Sequence, residues 1–464
     1  MGNDQNIASA GTVQNLVEEE LETLLGHKPQ IDHPTSWFDL GVSSLQMVKL
    51  ATRLSERLRQ RVSPDMFFRN PQVSRFGGCL VGTTSPRKPS PRSKQSDRAP
   101  IAVIGMAFRF PPDLSSAEAL TRFLATGTSA VSQAPQNRPW LQGERAGFLQ
   151  HDLWGFDAGF FNVSPSEAEL LDPQQRLLLE MSVHALESAM LAPQSLAGKD
   201  VGMFLGISCD DFKQLGYASP ADTPYSATGN MFNTASGRIS YFHDFRGPAV
   251  SIDTACSSSL VAVHQAIRAL QQGECELALA GGVNLILSRR LFDAMRALGA
   301  LSPQGECQSF SDEADGYVRG EGCALLVLKR LDEAEAAGDR ILAILRGSAV
   351  NQDGRSSGMT APNGVAQRDL ILRALTDANC APEQISMIET HGTGTPLGDP
   401  IEAAALGEIF ADRHKEQPPV VLSALKSRLG HLEACAGVAG LIHPIFALNA
   451  EEVPGICHLG KPSR

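Results

Sequence analysis

A β-favouring run, Ala249 to Ile252, stops at Asp253-Thr254-Ala255, and after Cys256-Ser257-Ser258-Ser259 an apolar helical segment, Leu260 to Ile267, takes over. No other stretch restricts the fold so tightly. A buried strand that passes within a few residues into a buried helix asks for a sheet covered by helices. It also sets Cys256 at a sharp turn, at or near the helix N-terminus. Unpaired N–H groups and the helix dipole there favour a thiolate over a thiol. The residues alone leave two readings of Cys256: a nucleophile suited to thioesters, or a small buried core cysteine, which is the commoner role.

The same alternation runs from residue 100 to 464. Strand-like runs at 101–104, 201–207, 249–252, 277–287, 324–328, 341–345 and 385–388 are interleaved with helical ones at 167–190, 256–272, 365–378, 400–410 and 433–449. That predicts one large α/β body with helices on both faces of its sheets. Ahead of it, residues 12–80 carry apolar positions at helical spacing (Val13, Leu16, Val17, Leu21; Leu45, Val48, Leu50, Leu54) and predict a small helical domain. Residues 81–99, rich in Ser, Pro, Lys and Arg, predict a solvated linker.

Bulk properties narrow the function. A net charge of −11 and a pI near 5.5 argue against nucleic acid as a partner. The nine cysteines show no metal-ligand spacing and no disulfide framework, so no metal is expected and a reducing cytoplasm is. The polar N-terminus lacks an apolar signal core, and no run of about 18 apolar residues suggests a membrane span.

Two histidines give Cys256 company. His391 sits in Glu389-Thr390-His391-Gly392-Thr393-Gly394-Thr395, just after the strand 385–388, where glycines allow a tight loop close to a ligand. His431 lies in Lys426-Ser427-Arg428-Leu429-Gly430-His431-Leu432-Glu433, before a small-residue helix whose positive end disfavours an imidazolium. A neutral imidazole there can donate an N–H to developing negative charge. A nucleophilic cysteine with two such histidines suggests acyl transfer coupled to carbanion formation. Asp172-Pro173-Gln174-Gln175-Arg176 reads as structural or as part of an interface before it reads as chemical.

On these motifs, with Ala280-Gly281-Gly282-Val283-Asn284 and Gly316 to Gly322 in support, the body from about residue 100 resembles a β-ketoacyl synthase of the modular type I polyketide synthases. The resemblance implies the thiolase fold, two similar α/β halves in five αβαβα layers, and a homodimer. It implies that Cys256 accepts an acyl chain from a carrier-protein thioester, with its backbone N–H in the oxyanion hole. His391 and His431 would promote decarboxylation of a malonyl-type extender, and Lys426 would organise His431 through Glu433.

Trp37-Phe38-Asp39-Leu40-Gly41-Val42-Ser43-Ser44-Leu45 resembles the attachment motif of acyl carrier proteins. It implies a four-helix carrier domain with 4′-phosphopantetheine on Ser44, loaded by a phosphopantetheinyl transferase. From the residues alone, Ser43 or Ser44 serves equally as a helix N-cap.

Three departures stand out. Ser43 replaces the aspartate usual before the modified serine, and Arg428 replaces an asparagine, where a bulky cation would either narrow the site or raise the cost of a charged histidine. The chain also stops at Arg464, before the glycine- and phenylalanine-rich loop that the family places downstream. That ending keeps open a second reading, a non-catalytic carrier and dimerisation scaffold. A degradative thiolase fits poorly, since thiolases pair their nucleophile with a second active cysteine.

Overall fold

Apolar residues spaced three and four apart pull the N-terminal helices together. Val13, Val17 and Leu21 of the helix Ala10–Leu25 are buried, as are Met47, Leu50 and Leu54 of Ser44–Leu58 and Val73, Phe76 and Leu80 of Val73–Leu80. Trp37 closes this core, edge-on to Phe67 and Phe76 with ring centroids 4.9 Å away, and its indole N–H donates to the Asn70 carbonyl. Burying such a ring is worth about 3–5 kcal/mol against alanine.

The structure is a computed structural model that describes residues 10–31, 35, 37, 40, 42, 44–64, 66–67, 70, 72–80, 99–216, 224–356, 358, 360–411 and 418–463. Most of the predicted linker 81–99 and Ser43 lie outside the described residues. The chain divides into two compact units: residues up to Gln95 with Asn351–Leu372 and Ile401–Ala411, and the remainder.

The second unit is built on strands β1 (Ile101–Arg109), β2 (Ser132–Gln133), β3 (Arg145–Ala146), β4 (Val201–Gly206), β5 (Ala249–Ile252), β6 (Leu277–Asn284), β7 (Gly322–Arg330), β8 (Ala343–Leu345), β9 (Met387–Glu389) and β10 (Val421–Ser423). Six form one mixed sheet in the order β5-β4-β6-β7-β1-β8. β9 and β10 form a separate parallel pair, and β2 and β3 a short antiparallel ribbon.

Alternate residues feed two cores. Leu277, Leu279, Leu325 and Val327 face one, packed on the helices Pro173–Ser188 and Phe232–His243; Ala278, Ala280, Leu326 and Leu328 face the other, packed on Ser258–Gln272 and Ala436–Ala450. In β1 the alternation slips at Ile104, because a bulge sets Val103 and Gly105 opposite consecutive residues Leu328 and Val327.

Three expectations needed correction. The helix expected over 167–190 is two helices, Pro165–Leu170 and Pro173–Ser188. Asp172 starts the second by accepting the Gln174 N–H, and Pro173 sits in its first turn, where no N–H is needed. β10 had no place in the expectation: it is three residues long and follows Pro418-Pro419. The third concerns the membrane. Glu433–Ala450 is long and apolar enough to cross one, though no such run was expected. Its apolarity has another cause: Val438, Ala439, Ile442 and Ile445 are buried within the body.

Candidate active site

The turn after β5 is stitched by its own hydroxyls. The Asp253 carboxylate accepts the Ala255 N–H, and Ser258 Oγ accepts the Thr254 N–H while donating to the Ala255 carbonyl. Ser257 Oγ donates to the Thr254 carbonyl. Ala255 is held at φ +55°, in the left-handed region, and Cys256 sits in the single 3₁₀ turn Ala255–Ser257 that runs into the helix Ser258–Gln272. The serine run thus exists to aim the sulfur.

His431 is placed by a different route. Gly430 takes φ +77°, and a Cβ there would meet the Arg319 carbonyl at 2.8 Å. The close approach lets the His431 N–H donate to the Val318 carbonyl at 2.7 Å. The Glu433 N–H then donates to His431 Nδ1 at 2.9 Å, so the proton of the neutral ring is on Nε2. The expected link from Lys426 through Glu433 is not the one formed. Arg319, fully buried, takes the Glu433 carboxylate in a two-pronged pair, Nε to Oε1 at 2.6 Å and Nη2 to Oε2 at 2.9 Å.

The loop that carries His391 hangs on buried acceptors. Thr390 donates its N–H and its hydroxyl to the Ser423 carbonyl of β10. The Asp399 carboxylate collects the backbone N–H groups of Phe310, Gly394 and Thr395. Behind the loop, Glu389 accepts the Leu425 N–H and pairs with His443 Nδ1 at 2.8 Å.

These three routes converge. The Cys256 sulfur and one ring nitrogen each of His391 and His431 all lie within 4.8 Å of one another. The two imidazoles meet edge to face, centroids 5.7 Å apart, and the Tyr317 ring lies 5.2 Å from His431. Glycine makes the convergence possible: a Cβ on Gly282 of β6 would meet the Ala434 carbonyl at 2.8 Å and Ser259 Cβ at 2.9 Å.

Charge in the pocket suits neutral histidines. Burial, aided by Lys426, pushes His391 down to about 3. Burial also holds His431 well below its usual range, with Lys426 and His391 adding to the shift. The thiol runs against the sequence argument. Cys256 and His391 are open to solvent on one side, yet burial on the others raises the Cys256 thiol above its ordinary value. Lys426 and a backbone hydrogen bond oppose that rise without cancelling it. A soft metal ion would find three donors here, but the Lys426 charge that acts on all three disfavours a cation.

Arg428 does not narrow this site. Its guanidinium turns away to the Gly455 carbonyl at 2.8 Å and lines a separate cavity of about 670 Å³ with Phe446 and Cys457.

The sequence model of the β-ketoacyl synthase N-terminal domain matches residues 98–334, and that of the C-terminal domain matches 342–460. The chain belongs to the β-ketoacyl synthase family. A phosphopantetheine attachment site model matches residues 13–80 of this ketosynthase chain, a domain that carries the group covalently on a serine. Among its relatives is a phenolphthiocerol/phthiocerol polyketide synthase from Mycobacterium tuberculosis, 42% identical over 472 residues, 97% of this chain and 25% of that protein. A spectinabilin polyketide synthase system protein of Streptomyces orinoci is 41% identical over 466 residues, 98% of this chain and 13% of that protein. The ketosynthase from module 6 of the bacillaene synthase of Bacillus subtilis 168 superposes with a TM-score of 0.73 at 38% identity, over 78% of this chain and 63% of that one. The chain therefore has the thiolase-like ketosynthase fold, and it spans a quarter or less of these two curated relatives.

Sequence reasoning passed over Arg319 and Asp399 as parts of the site. Each had a signal: Arg319 is a charged residue inside the glycine-rich run Gly316 to Gly322, and Asp399 directly follows the run Gly392 to Gly398.

Proposed function

We propose that the chain extends polyketide chains by decarboxylative Claisen condensation, with residues 12–80 as its tethered carrier and 100–464 as the condensing body. The observation that carries this is the meeting of one sulfur and two neutral imidazoles within 4.8 Å of one another.

Cys256 Sγ attacks the carbonyl carbon of an acyl thioester, the Cys256 backbone N–H steadies the oxyanion, and the incoming thiol's proton leaves with the departing thiolate. A malonyl-type thioester then binds. As its carboxylate departs as carbon dioxide, the enolate oxygen accepts N–H bonds from His391 and from His431 Nε2. The α-carbon attacks the Cys256 thioester, the sulfur leaves as thiolate, and a β-ketoacyl thioester two carbons longer results. Lys426 supports every stage by favouring thiolate over thiol and imidazole over imidazolium.

Ser44 is the residue we assign to hold phosphopantetheine. It opens the helix Ser44–Leu58, whose positive dipole end suits a phosphodiester. When bound, the group supplies a thiol that carries acyl units as thioesters. A phosphopantetheinyl transferase and acyl carrier thioesters are its partners. A homodimer fits the open side of β5, which pairs only with β4 among the described strands and leaves Val250 40% exposed. Nine free cysteines suit a cytoplasmic setting.

Incubation with an acyl carrier thioester, followed by peptide mass spectrometry, is expected to place the acyl group on Cys256. Condensation that persists in Cys256→Ala would refute the assignment. An acyl group that never reaches Cys256 would return the chain to a scaffold role.

A further inference from the structure

Arg319 is fully buried, and it grips the residue whose N–H sets the proton on His431. Glu433 stands at φ +48°, in the left-handed region that non-glycine residues seldom take. That conformation turns its N–H back onto His431 Nδ1, two residues away, at 2.9 Å. Something must hold it there. The fork from Arg319 does so, and Arg319 is itself fixed: its guanidinium carbon lies 4.7 Å from the centre of the Phe292 ring, and its carbonyl accepts the Gly147 N–H at 2.9 Å. A bridge of β type ties the backbones of Arg319 and His431 together.

We propose that Arg319 is a positioning residue for decarboxylation: by clamping the Glu433 carboxylate it holds the Glu433 N–H on His431 Nδ1 and so keeps the ring proton on Nε2, facing the enolate. The proposal rests on the reading of His431 given above. The clamp also neutralises a partly buried carboxylate beside an imidazole. Without Arg319, Glu433 would favour the imidazolium, whose Nδ1 carries a proton and can no longer accept the Glu433 N–H. Lys426, His391 and Tyr317 also face His431, and Asp211 faces Arg319.

Long-range ¹H–¹⁵N correlation on the full chain labelled with ¹⁵N-histidine reads the tautomer directly. Wild type is expected to show His431 as the Nε2–H form across neutral pH. Arg319→Gln is expected to give a mixture whose protonation midpoint moves up by about one pH unit or more, and Arg319→Gln/Glu433→Gln to move it back down. In parallel, decarboxylation of a malonyl thioester should fall about 10²-fold in Arg319→Gln, with an acid limb shifted upward, while acylation of Cys256 stays near wild type. A role in packing alone would lower both reactions at every pH and would not respond to the second substitution. If Arg319→Gln fails to fold, Arg319→Lys, which keeps the charge and loses the fork, is expected to mix the tautomers while the midpoint stays near that of wild type. An unchanged tautomer and midpoint in the variant that folds overturn the proposal. Wild type that never acylates Cys256 overturns the condensation reading instead, and the tautomer measurement does not depend on it.

Discussion

Gly282→Ala tests whether the site depends on the close meeting of two loops. The added methyl carbon would lie 2.8 Å from the Ala434 carbonyl oxygen, 2.9 Å from Ser259 Cβ and 3.0 Å from the Gly206 carbonyl oxygen. Two of the three atoms are backbone and cannot swing aside. Ordinary contacts begin near 3.4 Å, so the segments bearing Ser259 and Ala434 must part by about half an ångström. Those segments carry Cys256 and His431. Overpacking of this kind costs about 1–3 kcal/mol. A shift of an ångström at a reacting centre costs about 10²-fold in rate, so about 10-fold is expected here. Urea unfolding gives the first quantity, and condensation of acyl and malonyl thioesters the second. Gly237→Ala is the control: it lies in the helix Phe232–His243 with nothing within 4 Å of the added carbon, and is expected to stabilise by about 0.5–1 kcal/mol. If Gly282→Ala matched wild type in both assays, tight apposition would not be what aligns the site.

Three further outcomes follow from the same pocket and its surroundings. Lys426→Met should move the pH midpoint of Cys256 alkylation upward, since the cation that favours the thiolate is gone; at fixed pH the thiolate falls about tenfold for each pH unit the midpoint climbs. An unmoved midpoint in iodoacetamide kinetics would contradict this. His243 is buried on Ser182 Oγ at 2.9 Å and pushed down to about 4, so the unfolded chain binds its proton first and stability falls as pH drops from about 6.5 towards 4. His243→Gln should flatten that slope by up to about 1.4 kcal/mol per pH unit, read by urea unfolding at each pH. Ser44→Ala should prevent the mass gain that coenzyme A and a phosphopantetheinyl transferase give the wild-type chain, as intact mass spectrometry would report.

What the chain declares about itself is mostly local. The turn around Cys256, the loop of His391 and the approach to His431 were readable because each is a short run whose residue types fit one geometry. The partner of the Glu433 carboxylate was not, since Arg319 comes from 114 residues away and no pattern in either segment points to the other. The thiol's upward shift escaped for a related reason: a helix end is visible in a sequence, whereas the density packed around a sulfur is not. Arg428 shows the same limit. Its identity suggested an obstruction, but only the fold reveals that its side chain leaves for Gly455.

The sulfur and the imidazoles are secured by unlike means. The elbow of Cys256 is laced shut within six residues, Asp253 to Ser258, while His391 and His431 borrow their footing from Ser423, Asp399, Val318 and Arg319. A disturbance confined to the β9–β10 pair would therefore loosen His391, weaken enolate formation and leave the nucleophile aimed. Such a molecule would still take on its cargo and hold it, idle, until the second half of the machine closed again.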